Sequence, residues 1–177
     1  MATTTTIGII GTAGRGADGA KMTKRIFDSM VAKAKDIIET QLKLSWDEVV
    51  LVSGGAAWSD HVAVQLFLLH DCRLNPKFFD TGASDWRNNP GQSANRYHAK
   101  FQSITGYKSL NDIQAAVYLG ATIDSSHRGF HGRNTAIAQN SDILIAFSWN
   151  VGNVPADGGT LDTWEKVSIF AQNTCVM

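Results

Sequence analysis

An excess of charge of one sign is missing from this 177-residue sequence: sixteen Lys and Arg balance sixteen Asp and Glu, and no long block of either sign occurs. A protein that tracks nucleic acid or an anionic membrane by bulk charge is not expected from such a balance, although a small basic pocket is compatible with it. Cysteine is scarce. Cys72 and Cys175 stand far apart without CxxC or Cys/His spacing, which argues against a disulfide framework and for reduced thiols in a cytoplasmic protein. No apolar run approaches the roughly 20 residues needed to span a bilayer, so no membrane partner is expected. The opening stretch MATTTTIGIIG has no basic residue before its short apolar segment and does not read as a signal peptide. There is no GxxxxGK[ST] loop, which excludes the P-loop motif. GTAGRG has its glycines at 11, 14 and 16, not in GxGxxG register, and no acidic residue closes the second strand, as a dinucleotide site would require.

What is present is an alternation of short apolar runs and helical periodicity, without internal repeats, low-complexity tracts or linkers. TIGIIG (6–11) reads as a buried strand and TAGRGADGA (12–20) as a loop. Met22, Ile26, Met30, Ala34, Ile37, Ile38 and Leu42 recur at helical spacing and predict one long amphipathic helix. EVVLVSGG (48–55) predicts a second strand, followed by a helix over 59–72 with Ser59 or Asp60 as N-cap. PKFFD (76–80) suggests a short third strand, 81–93 an exposed loop, and 93–104 and 109–118 two helices. The stretch 129–142 reads as a loop and a short helix, DILIAFSW (142–149) as the clearest buried strand, 150–159 as a loop, 160–172 as the last helix, and TCVM as one more short strand. Strands apolar on both faces and separated by helices predict a mostly parallel sheet covered on both sides. The expected fold is α/β, a single three-layer Rossmann-like domain over 1–177.

In such a sheet, ligands sit at the carboxyl ends of the strands. Three predicted strands end there in glycine-bearing loops that lead into helices: GTAGRG (11–16), SGGAAWSD (53–60) and PADGGT (155–160). Glycine lets backbone N–H groups approach an oxyanion, and the helix start adds unpaired N–H groups and a positive dipole end. Three such loops on one edge point to an anionic ligand.

Taken together, these segments resemble the SLOG superfamily, Rossmann-like domains that include the Lonely Guy phosphoribohydrolases and the DNA-processing proteins. IGIIGTAGR is similar to that family's first strand and loop, and VVLVSGGAAWSDHVA to its second strand and glycine turn. GFHGRNTAIAQNSDILIAF is similar to its arginine-bearing helix and next strand, and PADGGTLDTWE to its phosphate loop, PGGxGTxxE. The resemblance covers most of the chain. It implies a nucleotide or nucleotide-sugar ligand and a homodimer, and no cofactor or metal is expected. It places Gly158, Gly159 and Thr160 on phosphate or ribose-phosphate, with Gly11, Thr12, Gly54 and Gly55 completing the cradle. Arg133, beside Asn134, is the counter-charge, since a guanidinium holds phosphate oxygens bidentately. The match departs at two points: Ala156 and Asp157 replace paired glycines, and Thr163 stands where Lonely Guy enzymes carry their catalytic glutamate. Asp162 and Glu165 are then the candidate carboxylates for N-glycosidic cleavage of a nucleoside monophosphate, each displaced along the helix by about 100° or 200°.

Several residues admit two readings. Arg15 is a phosphate contact or a solvated loop arginine, and Asp60 a ribose ligand or a helix cap. Asp162 is a catalytic acid or a first-turn carboxylate favoured by the helix dipole. His131 suits a sugar contact next to Arg133. Paired with His127 it does not make a metal site, because Gly129 and Gly132 interrupt a helix there. Ser53 lacks a GxSxG elbow and would offer only a hydroxyl to the ligand. Trp58, Trp86, Trp149 and Trp164 stack a base or, as is more usual, pack. The expected function is binding of a nucleotide or nucleotide-sugar, with or without cleavage of its ribosyl bond. The alternatives are a sensor or sequestering protein that holds the ligand unchanged, and a partner-binding α/β module whose glycine loops are only turns.

Overall fold

The computed structural model describes residues 4–70, 76–79, 89–127, 129–149, 154–155, 158–166 and, as backbone, 172–176. Among the described residues, six strands form one sheet in the order β4-β3-β2-β1-β5-β6, and every neighbouring pair is parallel. They are β1 (Thr5–Gly11), β2 (Val49–Ser53), β3 (Lys77–Phe78), β4 (Thr122–Ile123), β5 (Ile143–Ser148) and β6 (Gln172–Val176). The helices are α1 (Lys24–Asp36), α2 (Ser59–His70), α3 (Asn89–Thr105), α4 (Ser109–Tyr118), α5 (Gly129–Gln139) and α6 (Gly158–Lys166).

Alternation along the central strands builds two cores. Ile7, Ile9, Val49, Leu51, Ile145 and Phe147 face one side, together with Phe27 and Met30 of α1, Val62 and Leu66 of α2, Phe101 of α3 and Ala116 of α4. Ile10, Val52, Leu144 and Ala146 face the other, against Ile137 and Ala138 of α5 and Trp164 of α6. That period of two is what a strand buried on both faces requires. The domain is therefore a three-layer Rossmann-like α/β fold. On the α1 side, Phe101 meets Phe27 (4.9 Å, 84°) and Trp58 (4.8 Å, 90°) edge-on. Such aromatic pairs add about 0.5–1.5 kcal/mol each beyond their burial. Among the described residues, no helix is long and apolar enough to cross a membrane.

Local chemistry explains where the elements begin and end. Thr23 caps α1, its hydroxyl accepting from the Ile26 N–H at 3.2 Å. The helix then widens into a π turn over Ile37–Gln41, closed by the Leu42 N–H on the Ile37 carbonyl at 2.8 Å. The long predicted helix is thus α-helical only to Asp36, and the wider turn leaves consecutive Ile37 and Ile38 both buried.

Other expectations are corrected. The stretch 12–20 is not all loop, because Gly16–Ala20 winds into a 3-10 helix closed by the Lys21 N–H on Asp18. Residues 89–93 begin α3 instead of ending an exposed loop, while 81–88, with Trp86, lie outside the described residues, as does Cys72. Strand β4 was not expected, its two residues being too few to show a period. The last helix starts at Gly158, and Gln172 belongs to β6, with 167–171 outside the described residues. Gly129 and Gly132 do not interrupt α5 but lie in its first turn, where N–H groups have no intrahelical partner to lose.

Candidate functional site

Strands β1 to β4 step outward in one direction, and β5 returns to the opposite flank of β1. The order reverses between β1 and β5, so their carboxyl ends diverge and leave a crevice. A cavity of about 310 Å³ opens there. Its floor is Ile10 and Gly11 at the end of β1, continued by Thr12, Ala13, Arg15 and Asp18. Asp60 enters from α2, Phe130, Arg133, Asn134 and Ile137 from α5, and Gly158, Gly159, Thr160 and Thr163 from α6.

Nine residues expected from the sequence therefore converge: Gly11, Thr12, Arg15, Asp60, Arg133, Asn134, Gly158, Gly159 and Thr160. The Thr12 hydroxyl is used in shaping its own loop, donating to Asp18 at 2.7 Å and accepting from the Gly14 N–H at 3.1 Å. Ser59, at the start of α2, binds the Thr12 carbonyl through its hydroxyl at 2.9 Å, which staples α2 to that loop.

Asp60 is buried, and it does not cap α2. Its carboxylate instead reaches back to the Ala56 N–H at 3.3 Å. Burial pushes its pKa up more than Arg133, the Ala56 and Gly54 N–H groups and Arg15 pull it down. Gly54 is the spacer of this arrangement: a Cβ there would lie 2.5 Å from Asp60 Oδ2 and 2.9 Å from Arg133 Nε. The Arg133 guanidinium also donates to the Gly54 carbonyl at 3.4 Å. A carboxyl raised above its ordinary 3.8 holds its proton better folded than unfolded, so its contribution to stability declines as pH rises from about 4 through the folded pKa. Asp60→Asn is expected to gain stability relative to the parent between pH 4 and 8. Urea midpoints of the two proteins across that range check this, and a constant difference refutes it.

Six expected residues do not line the cavity. Ser53 is buried, its hydroxyl accepting from the Gly55 N–H at 3.4 Å, so Ser53, Gly54 and Gly55 form the turn behind Asp60. Asp162 lies between α5 and α6, where one carboxylate oxygen accepts from Lys166 Nζ (2.8 Å) and Asn134 Nδ2 (3.0 Å) and faces His131 Nδ1 at 3.4 Å. The Lys166 hydrogen bond, followed by those of Asn134 and His131, holds its pKa below the usual carboxylate value, against a partial desolvation. An ionised carboxylate is unsuited to act as a general acid. His131 is itself largely exposed, and Glu165 is exposed on the outer part of α6.

Beyond Gly158, Gly159 and Thr160, α6 also turns Thr163 to the cavity, buried, with its hydroxyl donating to the Gly159 carbonyl at 2.9 Å. Of the tryptophans considered for stacking, Trp58 and Trp164 are buried in the two cores. Among the described residues no three His, Cys, Asp or Glu side chains gather as a metal site.

Sequence reasoning missed Asp18 and Phe130. The Arg15 guanidinium carbon lies 4.8 Å from the Phe130 ring centre and 5.3 Å from that of Tyr97, and Arg133 lies 5.1 Å from the same Phe130 ring. An aromatic beside a glycine in GFHGR, in a stretch with no apolar period to bury it, was the available signal.

The fold and cavity define a Rossmann-like domain with a small polar crevice at its switch point. The chain belongs to the family of "Uncharacterized protein R261" from Acanthamoeba polyphaga mimivirus, to which it is 35% identical over 165 residues, 91% of this chain and 90% of that protein. No family model and no solved structure matches the chain.

Proposed function

We propose that this protein binds a nucleotide or nucleotide-sugar in the crevice between β1 and β5. One observation carries the reading. At the mouth of a cavity that also contains the glycine-rich start of α6, the Arg15 cation rests on aromatic rings and not against a carboxylate of the described residues. Exposed cation–π contacts are worth about 0.5–1 kcal/mol each. A hydrogen bond to a charged group contributes about 1.5–3 kcal/mol, so a phosphate arriving in the crevice draws the guanidinium to itself. The volume lies at the lower end of the ~300–1,000 Å³ typical of small-molecule sites. The likeness of the loops to the SLOG superfamily supports the same ligand class, and a homodimer is proposed on that likeness alone.

Holding the ligand is favoured over cleaving its ribosyl bond. Among the described residues, the carboxylates that line the cavity are Asp18, which accepts from Thr12, and Asp60, which braces the β2 loop, whereas Asp162 and Glu165 lie outside it. Thermal unfolding against nucleoside monophosphates, ADP-ribose, NAD and cyclic nucleotides tests the proposal. A ligand at 100 times its dissociation constant adds about 2.7 kcal/mol, roughly 5–10 °C for a domain of this size. Arg15→Gln is the informative variant because Arg15 is exposed, whereas Arg133→Ala would strip a counter-charge from buried Asp60 and unsettle the fold. Unliganded, the variant is expected to melt only a few degrees below the parent, through loss of the two ring contacts, and it should lose most of the ligand-induced shift. No shift with any of these compounds would overturn the nucleotide reading.

A further inference from the structure

Resting on the reading that the crevice takes a phosphate-bearing ligand, we propose that the slot between Tyr97 and Phe130, filled by Arg15 in the unliganded protein, receives a planar heteroaromatic base. The ligand is then a nucleotide with its base attached, as opposed to a bare sugar phosphate. A guanidinium is flat and delocalised, and stacks on aromatic faces much as a base does. A base centred where the Arg15 carbon now sits would lie 4.8 Å from the Phe130 centre and 5.3 Å from that of Tyr97. Both distances fall within the roughly 4.5–7 Å of favourable aromatic pairs.

The two rings come from different helices, Tyr97 from α3 and Phe130 from the first turn of α5, and both are half-buried, so their spacing is held by the fold. Phe130 lines the cavity, which makes the slot continuous with the phosphate end at α6. Arg15 is itself exposed and can exchange its rings for a phosphate as the base enters. Tyr97 and Phe130 are thus residues of ligand specificity. Stacking accepts any base, because every base has a π face.

Calorimetric titration of AMP, GMP, CMP, UMP and ribose 5-phosphate into the full chain tests this, with Phe130→Leu, Tyr97→Leu and Phe130→Tyr alongside. The best nucleotide is expected to bind about tenfold or more tighter than ribose 5-phosphate, equivalent to about 1.4 kcal/mol. Each leucine variant should weaken nucleotide binding about fivefold or more without weakening that of ribose 5-phosphate. Phe130→Tyr, which keeps the π face, should retain the nucleotide preference that Phe130→Leu loses. Ribose 5-phosphate binding as tightly as every nucleotide, or a preference that survives both leucine variants, would overturn the base slot and leave the phosphate site standing. Binding of none of the five compounds would remove the phosphate site and the slot together.

Discussion

Gly11→Ala is expected to lower stability by about 3–5 kcal/mol, from backbone strain and overpacking together. Gly11 ends β1 with φ at +149°, a region that residues with a Cβ rarely adopt. The added methyl would also press on the Phe147 carbonyl of the neighbouring strand and lie 2.6 Å from Ser59 Oγ. Neither neighbour yields easily. The carbonyl is committed to the sheet edge, accepting the Thr12 N–H at 3.0 Å, and the Ser59 hydroxyl staples α2 to the Thr12 carbonyl. A loss of this size removes a large part of the 5–15 kcal/mol that holds a typical domain together. It should appear as a fall in melting temperature of roughly 6–20 °C. A variant that unfolds within 2 °C of the parent would show that β1, β5 and α2 are not packed this closely at the crevice.

Acid is expected to weaken the fold through His98. Burial, reinforced by His61, depresses its pKa from 6.5 to about 4, with the Gly55 backbone opposing. Its Nδ1 lies 2.9 Å from the Ser109 hydroxyl, tying α3 to the start of α4. The unfolded chain takes up a proton near pH 6.5 that the folded chain refuses until about pH 4. The stability this neutral ring contributes is therefore complete above pH 6.5 and lost as pH falls towards 4. At 1.36 kcal/mol per unit, the loss approaches about 3 kcal/mol.

His61 adds to it in the same direction. It is fully buried, and desolvation lowers its pKa more than the nearby Asp112 raises it. Its Nε2 and that of Gln65 both donate to Asp112 Oδ2, at 3.1 and 2.9 Å. Denaturant midpoints from pH 7 to 4.5 should fall steeply for the parent and less steeply for His98→Asn, whose amide can still reach Ser109. Equal slopes would acquit His98.

Particular residues show how much of this was legible beforehand. Ile7, Ile9, Val49, Leu51 and Ile145 announced buried strands because a strand's side chains alternate over a few consecutive residues. The glycines of the β1 and α6 loops announced the sheet edge that holds the cavity. Asp162 misled, because a carboxylate early in a helix looks the same in sequence whether it faces a crevice or a neighbouring lysine. Its partners Asn134 and Lys166 place it between helices, and Thr163, one residue on, takes the inward position. In sequence Asp60 reads as a cap or a sugar ligand, whereas its bond to Ala56, four residues back, makes it the brace of a loop.

By itself the sequence determined the α/β class, the parallel sheet and the glycine loops at its carboxyl edge, since those follow from patterns a few residues long. Only the tertiary structure decided the reversal of strand order between β1 and β5, the burial of Asp60 beside Arg133, and the stacking of Arg15 on Phe130 and Tyr97. Arg15 lies more than eighty residues from Tyr97 and more than a hundred from Phe130. Contacts between residues so far apart depend on how whole helices are laid against the sheet, and no local period encodes that.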